Sequence, residues 1–215
     1  MKRLPSLLFF SALGGGLVSA QPAASTPTSS ASCWQASLTA ETSNDYDSAL
    51  GDIGQYQNNG GNAFLANLRT AWLYYLKQDY GNAARYYNAA EKLQPTSINP
   101  LLGLMSVSEA QGDNTAIEKS AEDVLHLDPM NYRAQMAVAY RHYLAKDYAM
   151  ALASYRRVLT YYPDDMTALS GEAWSLLYLG QQDKAEADFK TLLGINADDT
   201  WAQKGLSLCQ ESKTN

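Results

Sequence analysis

The chain has 215 residues, only 18% of them charged, with a formal net charge of −6 and a pI of about 4.9. Such a length makes one array or two small domains. An acidic balance without a basic stripe excludes nucleic-acid binding, because nothing stands ready to neutralise phosphates.

Taken from the N-terminus, Lys2 and Arg3 make a positive start, and Leu7 to Val18 is a short apolar run broken by Gly14, Gly15 and Gly16. Val18, Ser19 and Ala20 form a small-x-small cleavage site, so residues 1–20 are expected to be an export signal and the mature protein periplasmic or secreted. The apolar run is shorter than the ~20 residues a bilayer span needs, so no integral membrane segment is expected after cleavage. Residues 21–44 begin with Pro, Ala, Ser and Thr without periodicity and are expected to be a flexible tether.

From residue 45 onward the chain repeats. Ala49, Ala83, Ile117, Ala151 and Ala185 stand 34 residues apart, as do Pro95, Pro129 and Pro163; Tyr87, Ala121, Tyr155 and Phe189; and Ala71, Met105, Ala139 and Ala173. A period of 34 predicts pairs of helices stacked side by side. A lone capping helix over 45–57 leads, followed by four repeats at about 64–97, 98–131, 132–165 and 166–199 and a capping helix over 200–211. The alanine columns mark where the two helices of a pair cross, since close approach needs small side chains. The aromatic column fills the space towards the next repeat. In the second repeat Met105 and Ile117 are large and Ala121 is small, an approximate volume swap of the kind cores tolerate. Gly112 and Gly180 end first helices as left-handed caps, while Gln78 and Lys146 hold the same column without glycine.

These columns resemble the tetratricopeptide repeat (TPR) family over residues 46–211. The resemblance implies an all-α, right-handed solenoid whose first helices line a concave groove that binds a peptide or protein segment. The groove positions carried over are Trp72, Tyr75, Arg133, Tyr140, Tyr143, Trp174 and Tyr178, with Ser106 as a gap in the column of Trp72, Tyr140 and Trp174. Large, stiff rings are effective binding anchors, and few charges stand among them, so an apolar or aromatic partner segment is expected. The Lys and Asn that grip C-terminal carboxylates in some members are absent: Leu68, Trp72, Leu102 and Ser106 stand there.

No catalytic constellation is legible, and no cofactor or metal is expected. His126 and His142 have no ligand partner at a useful spacing, and no glycine-rich phosphate loop follows a strand. Cys33 and Cys209 bracket the array. A bridge would require the tether to fold back, about a dozen residues reaching about 40 Å when extended, so two separate thiols are expected. A binding scaffold or adaptor is the leading function, and a self-associating structural component of an envelope assembly is the alternative.

Overall fold

The proline column punctuates the chain into helical pairs, and in the computed structural model every pair forms. The structure describes residues 29–214, with side chains to residue 211, so residues 1–20 and the Pro-rich start of the expected tether lie outside it. The helices are α1 (Ser30–Thr42), α2 (Tyr46–Asn58), α3 (Ala63–Leu76), α4 (Tyr80–Leu93), α5 (Ile98–Gln111), α6 (Asn114–Leu127), α7 (Tyr132–Leu144), α8 (Tyr148–Tyr161), α9 (Met166–Tyr178), α10 (Gln182–Ile195) and α11 (Thr200–Thr214). No strand occurs among the described residues. Each helix packs on its neighbours in the chain, and α3 also meets α5, α7 meets α9 and α9 meets α11. The odd-numbered helices therefore form one row of the stack, and the chain is an α-solenoid.

The tether over 21–44 requires correction within its described part. Residues 30–42 are helix α1, opened by a reciprocal Ser29–Ser32 capping box and docked on α2. The Ser/Thr-rich composition concealed an apolar stripe, Cys33 with Trp34 and Ala40, that packs against Ala49, Ile53 and Tyr56. The supposed lone helix at 45–57 is the second half of a complete repeat, and among the described residues the array has five pairs plus α11 rather than four pairs between caps. Cys33 is thus buried in α1 and Cys209 in α11, at opposite ends of the stack, with the tether no longer available to bring them together.

Two further columns emerge at the turns. Asn44, Gln78, Gly112, Lys146 and Gly180 all have positive φ, between 59° and 74°. The turn inside each pair demands a left-handed residue, and three of the five positions accept the Cβ cost that glycine avoids. Immediately after them, Asp45, Asp79, Asp113 and Asp147 accept the backbone N–H three residues on and cap the second helices; Gln181 in the same column makes no such bond.

Packing between repeats follows a ring-on-glycine rule. A Cβ on Gly103 would lie well under 3.0 Å from the Tyr87 ring, and Gly171 stands in the same relation to Tyr155, and Gly205 to Phe189. Each glycine follows its ring by sixteen residues. The second repeat substitutes Ala121 and Ala137 for this pair, and Met105 is fully buried beside Ala121 with Ile117 packed against them, as the volume swap requires. The alanine crossings are fully buried: Ala71 with Ala83, Ala139 with Ala151, and Ala173 with Ala185.

Asp188 on α10 sets a pH dependence. Burial, then the neighbouring Glu172 carboxylate, push its pKa from 3.8 up to about 6, against the opposing pull of Arg156, and its Oδ2 is buried without a hydrogen-bond partner. The folded state therefore holds this proton more tightly than the unfolded chain does, so Asp188 favours folding at low pH and opposes it increasingly as pH rises from about 4 to about 6. Asp188→Asn is expected to stabilise the protein by about 2 kcal/mol at pH 7 and by little at pH 4. Urea denaturation at both pH values checks this, and an equal effect at the two would contradict it.

Candidate functional site

The groove ladder expected from the sequence divides into two unequal parts. At the C-terminal end, Tyr140 and Tyr143 from α7 and Trp174 and Tyr178 from α9 come together around a hollow of about 520 Å³. Tyr155 of α8 and Gly171 of α9 lie at its wall, and Trp201, Lys204 and Leu208 of α11 complete it. The ring-on-glycine pair thus serves two purposes: it joins two repeats and leaves the surface hollow where a side chain would otherwise stand.

Tyr140 is 54% exposed, Tyr178 51% and Trp201 64%. Trp174 does not share this character. It is buried, edge-on to Phe189 at 5.4 Å and to Trp201 at 6.1 Å, because the small residues around the α9–α10 crossing leave room for a ring. Its expected role as an exposed contact is corrected to that of a partly visible wall. Tyr178 is held from the side: it stacks on Tyr148 at 4.6 Å and lies 6.1 Å from Tyr143. Burial, then the neighbouring Tyr178, raise the Tyr143 hydroxyl pKa well above the ordinary phenolic value, and burial pushes Tyr155 up to about 12. The wall hydroxyls therefore stay protonated near neutrality and can donate to an incoming acceptor.

Trp72 and Tyr75 are not among the residues lining this hollow. They stack on each other at 5.6 Å on α3, and Trp72 Nε1 donates to Glu41 Oε1 at 2.9 Å. Glu41 also pairs with the buried Arg69, whose Nε and second terminal nitrogen donate to Ser37 Oγ at 3.2 Å and Ser37 O at 3.0 Å. This end of the row is engaged by α1, an element absent from the sequence-based architecture. Between the two aromatic groups, Arg133 spans from α7 to α5. It donates to the Leu102 carbonyl at 3.2 Å, Ser106 Oγ at 2.9 Å and Glu109 at 2.6 Å. Ser106 is thus a seat for Arg133, and the arginine serves the seam between repeats.

Trp201, Lys204 and Leu208 were missed as site residues, although the signal was present. Continuing the 34-residue step places Trp201 in the column of Arg133 and Thr167, Lys204 in that of Leu102 and Ser170, and Leu208 in that of Trp174. Helix α11 stands in the place of a further first helix, and this face of it lines the hollow. Among the described residues no group of three or more His, Cys, Asp or Glu side chains comes together as a metal site, and no helix is long and apolar enough to cross a membrane.

A stack of helical pairs whose odd-numbered helices form one row defines a helical-repeat protein. The tetratricopeptide repeat family model matches residues 35–98, 109–165 and 145–200, well over half the chain, and the chain belongs to that family. No curated protein sequence matches it. Among solved structures, a tetratricopeptide repeat protein from Parabacteroides merdae superposes with a TM-score of 0.72 at 16% identity, covering 85% of this chain and 73% of that one. MamA from Desulfovibrio magneticus RS-1 gives 0.66 at 11% identity, covering 82% and 99%. YrrB, described as a TPR protein with an unusual peptide-binding site, gives 0.63 at 15% identity, covering 78% and 87%. At such identities these likenesses concern the fold alone.

Proposed function

We propose that this protein is a non-enzymatic binding scaffold that holds an extended protein segment through the hollow between α7, α9 and α11. The observation that carries this reading is the exposure of Tyr140, Tyr178 and Trp201 around one concavity. Exposed rings in a preformed hollow bury large area on binding and lose little rotamer freedom. The peptide-binding site described for YrrB supports a peptide as occupant. The preferred segment carries a bulky apolar or aromatic side chain as its anchor. The compartment read from residues 1–20 is periplasmic or extracellular, and the binding reading stands independently of it.

The test removes exposed rings and spares the wall. Tyr140→Ala and Tyr178→Ala are each expected to weaken capture of the native partner by about 2 kcal/mol, roughly thirty-fold. Helical circular dichroism should be retained, because both rings are about half exposed. Full capture by the folded double variant would overturn the hollow as the binding site. Trp174 is unsuitable for this experiment, since truncating a buried ring destabilises the last repeats.

A further inference from the structure

Charge singles out one side chain in the hollow. Among the described residues Lys204 is the only charged one lining it, in a chain with 22 acidic against 16 basic residues. Its Nζ stands 5.5 Å above the Trp201 ring, and it enters no ion pair among the described residues. Seven other basic residues do enter ion pairs, and of the described basic residues that do not, Arg85, Lys92, Lys146, Arg157 and Lys184 are not in the hollow's lining. The nearby Asp199 is committed to the α11 N-terminus, where its Oδ1 accepts from the backbone of Trp201 and Ala202 at 2.9 and 3.0 Å. The face of an indole ring holds an ammonium by its quadrupole, which keeps the cation at the rim beside exposed aromatic surface. The wall tyrosines add protonated hydroxyls and no competing carboxylate.

We infer that the hollow selects an acidic segment, in which an aromatic or branched apolar anchor fills the concavity and a carboxylate on an adjacent residue pairs with Lys204. This rests on the proposed binding role of the hollow and adds its chemical selectivity. A glycan fits the lining less well, because among the described residues no Asn, Asp, Glu, Gln or Arg side chain stands there to hold paired ring hydroxyls. A basic segment would meet Lys204 with like charge.

The experiment measures binding of blocked, fluorescein-labelled hexapeptides to the whole protein by anisotropy at low ionic strength. Each peptide carries one tryptophan flanked by glutamate, by glutamine or by lysine. The glutamate form is expected to bind about five-fold tighter than the glutamine form, the gain available to one solvent-accessible ion pair, and the lysine form weakest. Lys204→Glu should reverse the order, with the lysine form binding best, and Lys204→Gln should abolish the preference between the glutamate and glutamine forms. Lys204 is exposed, so both variants should keep the wild-type circular dichroism. Equal binding of the glutamate and glutamine forms, or an order unmoved by either substitution, overturns the acidic selectivity. Failure of all three peptides to bind, or binding that survives Tyr140→Ala with Tyr178→Ala, overturns the hollow itself.

Discussion

Gly171→Ala is expected to cost about 3 kcal/mol of folding stability, the upper end of what an inserted core methyl does. In a helix interior the same change ordinarily gains about 1 kcal/mol, since alanine is the better helix former. The sign reverses here because the added Cβ would meet the Tyr155 ring well under 3.0 Å away. Tyr155 is buried and cannot swing clear, so the α8–α9 seam must part. The decisive comparison is a cycle with Tyr155→Ala. That substitution alone should cost a few kcal/mol by emptying the ring's site. In its background Gly171→Ala should become neutral or stabilising, reproducing the Ala121 and Ala137 pair of the second repeat. Chemical denaturation of the four proteins gives the coupling directly. Additive effects would show that ring and glycine do not share one site. Since Gly171 also lines the hollow, the single variant should lose peptide binding along with stability.

Glu41→Ala is expected to destabilise the protein by about 3 kcal/mol, because it strands the Arg69 guanidinium in a site where the side chain is 8% exposed. Both ends of the Glu41 carboxylate are in use, one by Arg69 and one by Trp72 Nε1, so its loss leaves the arginine with only the neutral Ser37 acceptors. Replacing the pair together, Arg69→Met with Glu41→Leu, should recover most of the loss, since a buried ion pair is often matched by packed apolar residues. Thermal melting should show the single variant well below the double one. A Glu41→Ala protein as stable as the wild type would mean that α1 is not stapled to α3 through this carboxylate. The result also reports on α1 itself, because Arg69 reaches the Ser37 backbone as well as its hydroxyl.

The two predictions mark where local reading of the chain stops. Helices α4, α6, α8 and α10 begin and end at a constant step of 34 residues, because punctuation by proline, aspartate and the left-handed turn is a local property of the backbone. Helix α1 was not legible. Its apolar stripe is short, and the buried Ser37 accepts from Arg69, thirty-two residues later. Of the groove residues expected from the sequence, Tyr140, Tyr143, Trp174 and Tyr178 line the hollow and Trp72, Tyr75 and Arg133 do not. Trp174 shares a column with Trp72, yet one is buried against Phe189 and the other hydrogen-bonded to Glu41. A column specifies the face of a helix but not what the neighbouring helix places there.

By itself the sequence determined the period, the helical pairs, the alanine crossings and the family, because each arises from residues within one repeat or at a constant step between repeats. Only the tertiary structure decided where the groove is open. Whether a ring on the inner row is solvent-facing depends on the residues beside it: glycine at 171 leaves a hollow, Arg133 fills the seam with α5, and α1 occupies the opposite end. Those are contacts between segments distant in the chain, settled by shape and by the cost of burying unpaired charge. A repeat pattern carries no record of either.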